Sequence, residues 1–181
     1  DTRKNFDAQV VLVTKLLRLL ELISDDYKLS LDPNNSTYFL IQAATVHLAL
    51  LTEFVGQARG FGIGRLEEAK RLREANTDPS GAVSAADRER LSNILTGIRV
   101  SADNTYRFIE KASTADAAIK AQLSAQLAAP KRSERLLYDL ATKEVIENTS
   151  PSFDAVEYRR IFTEGLADQF KLLAVVSSVL E

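Results

Sequence analysis

Few side chains in this sequence could do chemistry, alone or in concert. There is one histidine, His47, and no cysteine among 181 residues. That removes thiolate metal sites, cysteine nucleophiles and a disulfide framework. His47 stands among apolar residues, with no second histidine and no set of carboxylates to complete a metal shell. It reads as a core or interface histidine, the sharper alternative being a ligand contact or pH-sensitive group. No HExxH, no Glu-x-x-His pair and no GxxxxGK[ST] loop is present. Gly56, Gly60, Gly62 and Gly64 fall close together, but no strand precedes them and no Lys-Ser or Lys-Thr follows. They predict the end of a helix or a close backbone approach rather than a phosphate cradle.

Arg59 lies inside that glycine cluster. Its plain role is a cation at a helix end, favoured by the helix dipole. Its sharper role is a guanidinium fork for a carboxylate or phosphate. Tyr38, Tyr106 and Tyr158 each flank apolar helical positions, as core-edge residues do. A pocket between helices is lined in the same way, mostly apolar with a few hydroxyls and an arginine. Tyr38, Arg59 and Tyr158 are therefore the candidate ligand-binding residues, and no catalytic residue, metal or cofactor is expected. The pairs Lys131-Arg132 and Arg159-Arg160 read as solvated helix faces. The net charge is -2, which leaves no basic footprint, so nucleic acid is not an expected partner.

These residues must be held by helices. Seven glycines and four prolines are few turn formers for a chain of this length, and alanine and leucine abound. Apolar residues repeat at three and four over Arg3 to Asp25, from Phe6 through Val10, Val13, Leu17 and Leu20 to Ile23. Val11, Leu12, Leu16 and Leu19 widen that stripe until it needs contacts on two sides, a bundle interior and a dimer partner. Tyr27 to Asn35 predicts an extended connector and a turn at Asp32-Pro33, with Asn35 or Ser36 capping a second helix over Thr37 to Ala58. Helical character resumes over Arg65 to Glu74, and Asp78-Pro79-Ser80-Gly81 is the clearest break. Ser84 and Asp87 form a capping box for a third helix, which runs into alanine-rich sequence and bends at Ala112 to Asp116 or only where Pro130 breaks or kinks it. A short helix follows over about 131–147. The last helix, Ser152 to Glu181, is expected to bury Tyr158, Phe162, Leu166, Phe170, Leu173, Val176 and Leu180. The fold class is all-α, an elongated antiparallel four-helix-like bundle with the 131–147 helix added, in one domain. No apolar run reaches the length of a membrane-spanning helix.

Two blocks carry a resemblance. Leu31-Asp32-Pro33-Asn34-Asn35-Ser36-Thr37-Tyr38-Phe39-Leu40 is similar to the LDP turn and Tyr-Phe-Leu helix start of bacterial transmembrane sensors. Leu51-Thr52-Glu53-Phe54-Val55-Gly56-Gln57-Ala58-Arg59-Gly60 resembles their Leu-x-Glu-x-x-Gly-x-x-Arg-Gly segment, and Phe153 to Leu172 resembles the helix leading to their second span. Gln42 and Ala43 stand where those sensors carry a further acidic residue. The resemblance implies a periplasmic helical sensor domain of a chemoreceptor, sensor histidine kinase or diguanylate cyclase. It would bind a small molecule or periplasmic partner protein, work as a homodimer and act without catalysis. The chain begins at Asp1 and has no methionine, and neither terminal helix has a clear outer cap. The expectation is a domain looped out between two membrane spans, with both termini at one pole of an upright rod. The alternative is a soluble helical adaptor or scaffold that binds a protein partner.

Overall fold

The computed structural model describes residues 2–29 and 34–181, with side chains from Asp7 onward. Among the described residues there is no strand, and six helices pack together. Helix α1 spans Thr2–Asp26. Helix α2 runs unbroken over Asn35–Glu74, with a π turn at Ala43–Leu48 between its two α-helical segments. Helix α3 spans Ala85–Ala115, α4 Ala117–Leu123, α5 Ala128–Ala141 with a π extension at Thr142–Ile146, and α6 Ala155–Leu180.

Helix starts follow local chemistry. The Ser84–Asp87 capping box forms as expected, each partner satisfying the other's free amide. The cap of α2 is Asn34, one residue before the expected Asn35 or Ser36, and its side chain accepts from the Ser36 amide. The Asp32-Pro33 turn lies outside the described residues, and the chain before it turns at Lys28, whose φ is 55°. Asp116 ends α3 and starts α4, accepting from the Ala118 and Ile119 amides. Thus α3 stops long before Pro130. That proline falls in the first turn of α5, where a missing N–H costs nothing, so it breaks no helix. At the far end of α2, Asn76 adopts φ 52° and the Thr77 amide reaches back to the Leu72 carbonyl, closing the helix.

The glycine cluster does not end α2. Gly62 sits against the Tyr158 ring: a Cβ built there would lie 2.4 Å from ring atoms. Tyr158 is fully buried, stacks on Phe162 at 4.4 Å between centroids, and donates to the Ala58 carbonyl at 3.3 Å. Absence of a side chain here lets α6 close on α2. Gly97 likewise admits the Phe54 ring. Helices α2, α3, α5 and α6 form the four-helix core. The short α5 is a full member, burying Leu137, Ala141 and Val145. Helix α1 lies outside it. Helix α2 also holds an 18-residue window of mean hydropathy 1.5, long and apolar enough to cross a membrane by length and composition, which the sequence reading missed. It is the central helix of the bundle, and 39% of that window is buried there.

Contacts fix the directions. Tyr158 meets Ala58, Arg159 meets Glu67 and Arg59 meets Thr163, so α6 runs antiparallel to α2. Asp7 pairs with Arg90 at the start of α3 at 2.6 Å, while α1 also touches the π turn of α2. Helix α1 is therefore antiparallel to α2 and parallel to α6. The start of α1 and the end of α6 lie at opposite poles, contrary to the expectation that both termini share one. Arginines staple the pole where α3 and α6 begin: Arg73 donates to the Pro151 carbonyl, Arg88 to those of Ile146 and Asn148, and Arg65 to that of Ala82.

Gly64, two residues on and across the helix from Gly62's contact, has nothing within 4 Å of a built Cβ. Gly64→Ala should stabilise the fold by about 0.5–1 kcal/mol, the ordinary helix preference for alanine. Gly62→Ala should destabilise it by about 1–3 kcal/mol, because the buried Tyr158 ring has nowhere to retreat. Calorimetric melting of the two variants checks the opposite signs.

Candidate functional site

A recess opens between α1, α2 and α6. Its volume is about 710 Å³, within the usual range for small-molecule sites. Helix α2 supplies the floor with Ala49, Thr52, Glu53, Gly56, Gln57, Arg59 and Gly60. Gln9, Val10, Val13 and Leu17 of α1 form one wall, and Thr163, Leu166, Ala167, Phe170 and Leu173 of α6 the other. Gly56 leaves open space, since a Cβ built on it meets nothing within 4 Å. A shallower depression of about 410 Å³ lies between α2 and α3, around Phe54, Arg90 and Ile94.

The crevice exists because α1 is loosely seated. Among its described side chains only Ser24 is buried. Leu12, Leu16, Leu19 and Ile23 remain 44–58% exposed and point away from the core. Phe170, expected in the core, is 54% exposed at the crevice rim because no helix covers that face of α6.

The three expected ligand residues are not brought together. Arg59 lines the crevice and donates from Nη1 to Thr163 Oγ1 at 3.2 Å. It is a mid-helix residue, not a helix-end cation. Tyr38 stands at the opposite end of α2, edge-on to Phe39. Twenty-one residues of helical rise, about 31 Å, separate it from Arg59. Tyr158 is sealed in the core with its hydroxyl occupied, and burial pushes that hydroxyl's pKa up. Neither tyrosine can share a small ligand with Arg59. Sequence reading passed over Glu53, Gln57 and Thr163. The signal for them was the turn-by-turn spacing of Thr52, Gly56 and Arg59 beside the expected core stripe of α2.

His47 sits in the π turn, 4.7 Å from the Phe108 ring. Burial, with a smaller contribution from Arg107, lowers its pKa, so the neutral ring is favoured. Lys111 Nζ lies 5.2 Å from both the Phe39 and Phe108 rings, so the aromatic faces there already hold a cation. Among the described residues no group of three His, Asp or Glu side chains converges as metal ligands.

A second polar locus lies between α3, α5 and α6. Gln169 is fully buried and donates to the Pro130 carbonyl at 3.1 Å. Its Oε1 and the Tyr106 hydroxyl have no hydrogen bond of ordinary geometry, yet the two side chains are neighbours. Burial pushes the Tyr106 pKa up to about 12, with Gln169 opposing the shift. Nearby, burial first and then Asp103 raise the pKa of Glu134.

No protein family profile, no curated protein and no solved structure matches this chain.

Glu134 gives a signed pH dependence. Its folded pKa lies above the ordinary 4.5, so the folded state binds the proton more tightly. Stability from this group is present below pH 4.5 and is lost as pH rises through the folded value. Glu134→Gln should therefore melt higher than the parent at pH 7 and no higher at pH 4. The gain should stay below about 1 kcal/mol, because the carboxyl is half exposed and screened. Melting curves across that range check it.

Proposed function

We propose that this chain is the ligand-sensing domain of a bacterial transmembrane receptor, placed outside the cytoplasmic membrane and acting by binding alone. The seating of α1 carries the reading. A helix that buries one described side chain and bridges a crevice is the element an occupant shifts at least cost. A ligand that fits one seating of α1 better than another biases the population toward it, and that differential affinity is the signal. The resemblance of its sequence blocks to those of bacterial sensors supports the same reading, since the Arg59 block forms the crevice floor.

The relay differs from the one expected. Since α1 and α6 run the same way, this chain does not present two ends side by side at one pole. In the receptor reading, α1 alone carries displacement toward the membrane. The chain following α6 then has to return along the bundle, about 40 Å, before a second span. The gene should encode an apolar span of about 20 residues before Asp1. A gene product without membrane spans overturns the receptor assignment. The remaining reading is then a soluble adaptor, which the outward face of α1 favours.

That face gives a partner. Leu12, Leu16, Leu19 and Ile23 follow one another at spacings of four, three and four, the seam of a coiled coil. In the receptor reading they meet the same helix of a second copy. Leu16→Glu combined with Leu19→Glu should give a monomer by sedimentation, with a melting temperature within a few degrees of the parent's because both side chains are exposed. Hydrogen exchange should be faster in α1 than in α2 or α3, and removal of residues 1–26 should leave α2 to α6 folded. If that deletion unfolds the chain, α1 is a structural member and not the moving part.

A further inference from the structure

We infer that the crevice under α1 takes an elongated amphipathic carboxylate, its acid group on Arg59 and its apolar body running toward Leu17 and Leu173; this rests on the crevice being the sensing site. The floor from Ala49 to Gly60 is about 16 Å long by helical rise. Its polarity is graded along that length. Arg59 meets Thr163 at one end, with Gln9 opposite. Because α6 and α1 are both antiparallel to α2, Leu17, Phe170 and Leu173 lie at the other end, beside Ala49. The exposed Phe170 ring is apolar surface that such a body would cover.

Arg59 is available to an anion. Its one hydrogen bond among the described residues goes to a hydroxyl, and it makes no ion pair there. Neighbouring arginines are committed: Arg65 to Asp87, Arg159 to Glu67 and Arg160 to Glu157 and Glu164. A guanidinium with donors to spare at the mouth of a largely apolar slot fits a carboxylate better than a neutral head group. Glu53 fixes the orientation. Its carboxylate accepts from Gln57 at 2.8 Å midway along the floor, about 9 Å by rise from Arg59. It repels an acid group from the middle and leaves the Arg59 end as the seat. Gly56 keeps the path open between the two ends. A larger side chain there enters free space instead of protein.

Decanoate, its uncharged analogue decanamide and the bodiless acetate separate the terms, each titrated calorimetrically below any aggregation concentration. The parent chain should bind decanoate, bind decanamide at least tenfold more weakly and leave acetate unbound. Arg59→Gln should weaken decanoate by about 10- to 100-fold, the loss of a charge-assisted hydrogen bond. Glu53→Gln should tighten it about two- to fivefold by removing a repelling charge at that range. Gly56→Leu, which should fold at least as stably as the parent, should abolish it. Decanoate binding that survives Gly56→Leu lies elsewhere and overturns the inference. Decanamide bound as tightly as decanoate, with Gly56→Leu blocking both, removes the anion assignment and leaves the crevice as a sensing site. If neither amphiphile binds, the ligand class is wrong. The sensing reading then stands or falls separately on the mobility of α1.

Discussion

A tyrosine ring laid on a helix backbone sets the geometry of this bundle. Tyr158 reaches the space left by Gly62, stacks on Phe162 and bonds the Ala58 carbonyl. That contact fixes how closely α6 approaches α2 and in which register. The register places Thr163 opposite Arg59 and turns Leu166 and Phe170 toward the side where α1 lies. The crevice walls therefore inherit their positions from a contact buried on the other face of α2. Arginines that donate to loop carbonyls hold the same pole from outside, so α2, α3, α5 and α6 behave as one frame. Among the described residues, the Asp7–Arg90 pair ties helix α1 to that frame.

Much of this frame was legible in the sequence. The Ser84–Asp87 box, the break at Asp78 to Gly81 and the apolar repeats of α3 and α6 are local signals, and local chemistry decides them. Errors arose where a distant residue decides. Nothing near Gly62 announces that Tyr158, nearly a hundred positions later, will fill its missing side chain, so a run of glycines leaves a stop and a close approach both open. Of the two bend positions open for the third helix, Asp116 takes it by a local cap, and Pro130 falls in the next helix. The π turn at Ala43–Leu48 adds a residue to one turn, so Leu48 replaces His47 in the buried stripe that continues through Leu51 and Val55.

Of the three candidate ligand residues, Arg59 alone lines the crevice. Arg59 is singled out in the sequence because guanidinium chemistry beside glycines is unusual. Tyr38 and Tyr158 were chosen by type, and type alone does not say which face of a helix a ring occupies. The breadth of α1's apolar stripe was a truer signal than any single polar residue. It demanded two neighbours, and the described chain supplies only one. The uncovered side is the row of leucines on the outer face of α1.

The parallel course of α1 and α6 has a mechanical consequence. A force drawing the two ends of this chain apart acts along the long axis of the bundle. The contacts of α1 then resist by sliding, all of them loaded together, instead of opening turn by turn like a zip. A loosely seated helix can therefore be easy to tilt and still withstand tension.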